Sequence, residues 1–236
     1  MSLWLEGAAC AAAGAGALAY AVRAPSSSLL AASVYRGTRE RKAIALTFDD
    51  GPSESTPELL AILDQARAQA TFFQCGANVR RLPSVAREVA ARGHEIGNHT
   101  DTHPRLDFKS RDFMTRELSV AQDSIERATG VRPRYFRAPY GIRWFGLGDV
   151  QRRLSLTGVM WTTIALDWKW PVDRVVARLL RGARNGAIFC LHDGRRTETR
   201  PDTKVTLETL REVLPKLMEQ GFHFEKVTDI LCPTRN

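Results

Sequence analysis

Thr47-Phe48-Asp49-Asp50-Gly51-Pro52 follows the apolar run 43–46 without a break, and this junction decides how the rest of the chain is read. The run is short, carries Ile44 and Leu46, and stops at a Gly-Pro turn signal, so it is expected to be a buried strand. Two adjacent carboxylates at the mouth of such a strand repel each other unless a cation or an arginine compensates them. Asp-Asp-Gly-Pro is also good turn chemistry in its own right. The pair therefore takes its meaning from what stands at the other strand ends.

Downstream, strand-like and helix-like segments alternate. Strands are predicted over 43–46, 70–74, 95–98, 135–136, 158–166, 187–191 and 222–227. Helices are predicted to start at Thr56, its cap, with Pro57 at the first position, and to cover 83–92, 172–183 and 203–220 despite Pro215. A further long amphipathic helix begins at the cap residue Ser110 and ends at Thr129, before Gly130. Alternation of this kind argues for βα units around a parallel sheet. About seven strands is close to the eight of a closed, TIM-like (β/α) barrel.

With 236 residues and 44% hydrophobic content the chain can bury a full core as one large α/β domain or two small ones, which excludes a disordered protein. Its 34 basic and 26 acidic residues leave a net charge of +8, which favours acidic polymers or anionic surfaces as neighbours. The basic residues are scattered and not interleaved with aromatics, so no nucleic-acid partner is expected. Cys10, Cys75, Cys190 and Cys232 are far apart and form neither a disulfide framework nor a zinc knuckle.

Residues 1–35 are set apart from a domain spanning 36–236. Residues 7–22 are uncharged but rich in Ala and Gly, and they fall short of the ~20 residues a spanning helix needs. They fit a weak membrane anchor, an atypical export signal or an Ala-rich helix packed on the domain, with residues 25–28 as a linker. Arg23, Arg36, Arg39 and Arg41 follow this segment, and a membrane-associated or exported protein is expected in preference to a free cytoplasmic one.

Unusual polar residues recur where the predicted strands end: Asp49 and Asp50, then His99, Arg137, Asp167 and His192. In a (β/α) barrel these C-terminal ends share one face, where catalytic groups collect. His99 and His103, four apart, would lie on one side of a helical turn and bind one ion together with a carboxylate from another strand. Arg137 would hold one aspartate ionised through a bidentate pair, and Pro139 would aim the Tyr140 N–H at a developing oxyanion. His192, with Asp167 a better partner than Asp193, suits a general acid near neutral pH. His94 and His223 belong to no such constellation. Trp144, Trp168 and Trp170 are candidates for stacking on sugar faces.

Thr-Phe-Asp-Asp-Gly-Pro, His-Thr-x-x-His, Arg-x-Pro-Tyr, Asp-Trp and the apolar-x-His run ending at His192 stand in the order that resembles polysaccharide deacetylases with a NodB homology domain, carbohydrate esterase family 4. The resemblance spans residues 43–227. It implies a deformed (β/α)7 barrel and metal-dependent N-deacetylation of amino-sugar polymers such as chitin or peptidoglycan, or of a lipid-linked glycan. Matched motif by motif, Asp50, His99 and His103 resemble ligands of a divalent metal, zinc first, with cobalt or nickel as alternatives. Asp49 resembles the catalytic base, Arg137 its partner, His192 the acid and Asp167 the residue that tunes it. Two positions depart from the pattern: Ile164 stands where an earlier Asp is common, and Cys190 replaces a Leu near the expected position of the acetyl methyl group. The rival readings are a non-catalytic carbohydrate-binding relic and a non-haem iron enzyme. The second suits a two-His-one-carboxylate site but not the βα alternation.

Overall fold

The computed structural model describes residues 2–232. Its strands are β1 (Ser33–Val34), β2 (Ala43–Gly51), β3 (Ala70–Gln74), β4 (Glu95–Asn98), β5 (Tyr135–Phe136), β6 (Thr157–Val159), β7 (Thr163–Ile164), β8 (Ala187–His192) and β9 (His223–Phe224). The helices are α1 (Ser2–Arg23), α2 (Thr56–Gln65), α3 (Gly76–Arg81), α4 (Pro83–Ala91), α5 (Arg111–Thr129), α6 (Leu147–Arg153), α7 (Val172–Gly182), α8 (Lys204–Glu219) and α9 (Val227–Leu231).

Among the described residues the nine strands form one sheet in the order β1-β6-β5-β4-β3-β2-β8-β7, with β9 also on β2. Every pairing is parallel. This is a (β/α) barrel of the kind the alternation predicts, deformed as the family resemblance implies. The expected strand over 158–166 is in fact two pieces, and they lie on opposite flanks of the sheet: β6 pairs with β5 and β1, β7 with β8. Only residues 160–162 connect them, a span of at most about 14 Å. The sheet is thus curled until its two flanks nearly meet, and the barrel is bridged by covalent chain where ladder hydrogen bonds are missing.

The period of two along β2 explains the layering. Ile44, Leu46 and Phe48 pack outward into the large core shared with α2, α7 and α8, through Leu59, Leu63, Leu179 and Leu210. Ala43 and Ala45 face inward with Phe73 and Ile188, and these small alanines leave room inside the barrel. The same alternation carries Thr47 and Asp49 inward. On β8 it sends Phe189 and Leu191 outward, with Ile188, Cys190 and His192 on the other face.

Ser110 caps α5 as expected, its hydroxyl accepting from the Phe113 N–H at 3.2 Å, and Gly130 ends it in the left-handed region at φ 75°. Thr56 is not the cap of α2: Ser55 precedes the helix, and Thr56, its first residue, uses its hydroxyl elsewhere. Residues 222–227 do not form one strand either, since β9 covers only His223–Phe224 and α9 begins at Val227. Residues 12–20 of α1 are exposed, and Ala21 and Val22 are buried. The stretch read as a linker lies on the domain: Arg143 donates to the carbonyls of Ala24 and Ser27, and β1 joins the sheet edge beside β6. The described helices include none long and apolar enough to cross a membrane. The side chains of residues 1–11, Cys10 included, and residues 233–236 of the assigned domain lie outside the described residues.

Candidate active site

Adjacent residues of a regular strand point to opposite faces, so Asp49 and Asp50 can share a site only if the backbone departs from the strand. It does so at Asp50. Asp49 pairs in register with Phe73 on one side and His192 on the other, but the next residue paired with β3 is Gly51, opposite Gln74. Asp50 is the extra residue of a bulge and adopts φ 72°. Gly51 is required behind it, because a Cβ there would run into the Asp193 carboxylate.

The bulge turns Asp50 toward two imidazoles. Its Oδ1 lies 3.3 Å from His99 Nε2 and 3.0 Å from His103 Nε2, and all three residues are buried. The two histidines do not lie on a helical turn. They come from an irregular loop after β4, in which Thr100 and His103 both have positive φ. Local side-chain bonds replace the helix: Asn98 Oδ1 accepts from the Thr100 N–H at 2.8 Å, and Thr100 Oγ1 from the His103 N–H at 3.1 Å. His99 Nδ1 is 2.8 Å from the Arg137 carbonyl, which can only accept, so Nδ1 carries the proton and Nε2 of the neutral ring offers a lone pair. A lone pair facing a carboxylate is favourable when a cation sits between them. Asp50 Oδ1, buried and without a hydrogen bond, completes a donor set of one carboxylate and two imidazoles that fits a divalent metal. The second oxygen of Asp50 accepts from the Arg196 N–H at 2.8 Å, and Asn78 Nδ2 donates at 2.7 Å to both the Asp50 and the Arg196 carbonyls.

Asp49 meets different partners. Arg137, fully buried, donates from Nη1 to Asp49 Oδ1 and to Thr47 Oγ1, both at 2.7 Å. The expected bidentate fork is not formed. Nε and Nη2 instead donate to the carbonyls of Val159 and Met160 at 3.0 and 3.2 Å, where β6 ends and the short link to β7 begins. The guanidinium also lies over the Phe73 ring, 4.2 Å from its centroid. The other oxygen of Asp49 faces the Cys190 thiol at 3.4 Å.

His192 stands across the site at the end of β8. Its Nδ1 is 2.9 Å from Asp167 Oδ1, and its backbone N–H donates to Asp167 Oδ2 at 2.8 Å. Thr206 Oγ1 donates to that same oxygen at 2.8 Å, which fixes the carboxylate. Burial lowers the affinity of His192 for a proton, but Asp167 and the nearby Asp50 and Asp49 more than reverse this, and its pKa rises to about 9. Trp168 packs edge-on to the ring at 4.6 Å. Asp193 points elsewhere, accepting from the Thr56 hydroxyl at 2.6 Å, and burial pushes its carboxyl up to about 7.

Asp49, Asp50, His99, His103, Cys190 and His192 line one cavity of about 310 Å³. Tyr140 edges it with φ 59° and a half-exposed ring 4.9 Å from that of His103. Of the three tryptophans proposed from the sequence, only Trp168 lines the cavity. Trp144 packs on Phe108 and Phe145, and Trp170 on the outer core. The eight site residues Asp49, Asp50, His99, His103, Arg137, Tyr140, Asp167 and His192 are gathered at the C-terminal ends of the strands. Sequence reasoning missed Thr47, Asn78, Thr206, the backbone of Arg196 and Trp161, which lines the cavity; for Asn78 the signal was its place just beyond a strand end. His94 and His223 stay outside, the first accepting from the Ala70 N–H and the second paired with Glu225.

Fold and site together define a TIM-like barrel protein with an Asp-His-His centre flanked by an arginine-held aspartate and an aspartate-held histidine. The chain belongs to the polysaccharide deacetylase family, whose profile matches residues 36–159. It is 37% identical over 196 residues to a chitooligosaccharide deacetylase of Azorhizobium caulinodans, covering 79% of this chain and 93% of that one. It is 34% identical over 194 residues to a peptidoglycan-N-acetylglucosamine deacetylase of Bacillus cereus, covering 80% and 88%. Among solved structures it resembles a family 4 carbohydrate esterase pseudoenzyme of Bacillus anthracis with a TM-score of 0.78 and 30% identity, over 87% of this chain and 70% of that one. The family therefore includes a member without activity, and catalysis has to be argued from this chain's own site.

Proposed function

We propose that the protein is a metal-dependent N-deacetylase of amino-sugar glycans, acting on chitin-like oligomers, peptidoglycan or a lipid-linked sugar. The observation that carries this reading is the division between the two aspartates: Asp50 faces His99 and His103, whereas Asp49 is held by Arg137 and stays free for proton transfer. Zinc suits the donor set, with cobalt or nickel as alternatives, and when bound it would supply Lewis acidity and a lowered pKa for water. The residues to hold it are Asp50, His99 and His103.

Asp49 acts as general base toward a water attacking the acetamide carbonyl, its negative charge kept by the Arg137 ion pair. The Tyr140 N–H, on a turn that edges the cavity, serves the developing oxyanion. His192 carries the proton to the departing nitrogen, and Asp167 fixes the ring with its proton on Nδ1 or on both nitrogens as the cycle requires. No candidate ligand or proton carrier is missing, which speaks against a non-catalytic relic. The parallel βα sheet speaks against a non-haem iron enzyme.

The test is acetate release from chitin oligomers, peptidoglycan fragments and lipid-linked sugars, with and without chelator. Chelator-sensitive release from at least one of them is expected; none from any would overturn the reading. For location we favour a membrane surface or the exterior, supported by exposed Leu18, Tyr20 and Leu29 ahead of a basic domain. Recovery of the full chain solely in the cytosolic fraction would refute this placement.

A further inference from the structure

We propose that Asp49, Cys190 and His192 form a second cation site, suited to thiophilic divalent ions such as Zn2+ and Cd2+, beside the Asp50–His99–His103 centre. One ligand atom from each of the three lies within 4.8 Å of the others. Cys190 Sγ is 3.4 Å from Asp49 Oδ2. Tetrahedral zinc with bonds of about 2.3 Å to sulfur and about 2.0 Å to oxygen requires about 3.5 Å between those two ligand atoms, so the pair is already spaced for a shared ion. Arg137 engages the other oxygen of Asp49 and leaves Oδ2 for the cation.

His192 is oriented in the way metal-binding imidazoles are. Its Nδ1 is committed to Asp167, itself held by Thr206, and this leaves Nε2 as the free ring nitrogen. The backbone makes the arrangement rigid: Cys190 and His192 are alternate residues of β8 and share one face, and Asp49 is paired directly with His192 across the ladder. All three line the cavity, so an ion can enter. On binding, the metal–sulfur bond forms as the S–H bond breaks and the metal–nitrogen bond forms as His192 gives up its Nε2 proton; both protons pass to solvent with no change of oxidation state. Asp49, Asp50, Asp167 and the new thiolate offset the repulsion between two neighbouring cations. An aliphatic residue at 190 would leave one donor too few.

One consequence rests on the deacetylase reading: an ion here occupies both the proposed base and the proposed acid, so excess zinc inhibits. The binding itself does not depend on that reading. Cadmium titration of the full-length protein tests it, with stoichiometry from equilibrium dialysis and the thiolate-to-cadmium charge-transfer band in the ultraviolet. Wild-type protein should take up two ions and develop the band. Cys190→Ala should take up one and lose the band, and Cys190→Ser, closer in shape, serves if the alanine variant misfolds. A variant with His99→Ala and His103→Ala should take up one ion and keep the band. A wild-type protein without the band, or a Cys190→Ser protein that retains it in full, would overturn the site. Intact binding without inhibition by excess zinc would instead count against the assignment of Asp49 and His192 to catalysis.

Discussion

Asp50 stands at φ 72° while Asp49 stays in strand register opposite His192, and this single change of backbone hand sends two neighbouring carboxylates to different partners. Asp49→Asn removes the proposed base but leaves Asp50 and both imidazoles in place. Metal content measured by elemental analysis should be unchanged, while the rate of acetate release drops by about 10²–10⁴-fold. Undiminished turnover would remove Asp49 from the base role.

The bulge depends on Gly51. In Gly51→Ala the new methyl group meets the Asp193 carboxylate, and either the bulge or Asp193 must shift. Overpacking of this kind destabilises by about 1–3 kcal/mol. Urea unfolding should show that loss, accompanied by weaker metal retention because Asp50 moves with the bulge. Wild-type stability and metal affinity in this variant would contradict the proposed constraint.

The Asp167–His192 pair sets an alkaline limit. Burial alone would depress the imidazole, but Asp167 and the other carboxylates raise its pKa to about 9. The acid form is therefore present at neutral pH, and kcat should fall as pH rises through about 9. Stability from this pair follows the same sign: it is complete below the ordinary value of 6.5 and is lost as pH passes the raised one. In Asp167→Asn the main raising charge is gone, so the alkaline limb should move down by at least one pH unit. A limb that stays in place would assign it to another group.

His94 gives the opposite sign. Burial lowers its pKa from 6.5 to about 4, and the neutral ring accepts from the Ala70 N–H. Unfolding then takes up a proton between those values, so stability declines as pH falls from 6.5 toward 4, by on the order of 2 kcal/mol. Thermal melts across this range should flatten in His94→Gln relative to wild type. Parallel acid profiles for the two proteins would show that His94 titrates normally.

Much of this arrangement is legible in the sequence because it depends on periodicity and on strand ends. β3, β4 and β5 fall where the apolar runs place them, and six of the eight site residues follow from the rule that a barrel's strand ends share a face, while His103 and Tyr140 follow from their spacing to His99 and Arg137. The parts that escaped depend on contacts distant in sequence. Residues 158–166 look like one strand because apolar and β-branched residues run through them, and only tertiary pairing divides them between two flanks. The His99–His103 spacing suits a helix, but Asn98 and Thr100 satisfy the backbone locally and build a loop in its place. Asp50 in the left-handed region was demanded by geometry, though the residues alone do not show how the strand would provide it.

Arg137 spans both problems, since one nitrogen serves Asp49 and the others cap the carbonyls of Val159 and Met160 where the chain leaves β6 for β7. Replacing it with Lys should destabilise the fold by about 3 kcal/mol or more, because a single ammonium cannot reach both sets of acceptors. Chemical denaturation of Arg137→Lys compared with Asp49→Asn measures the difference.

That double duty bears on how such a barrel can decay over evolutionary time. A lineage released from selection for turnover can exchange Asp49 for a neutral acceptor such as Asn at less cost to folding than losing Arg137, which also strips the Val159 and Met160 carbonyls of their donor. Inactive descendants of this chain should therefore keep the arginine long after losing the carboxylate it serves, so that the surviving arginine records the barrel's architecture and says nothing about activity.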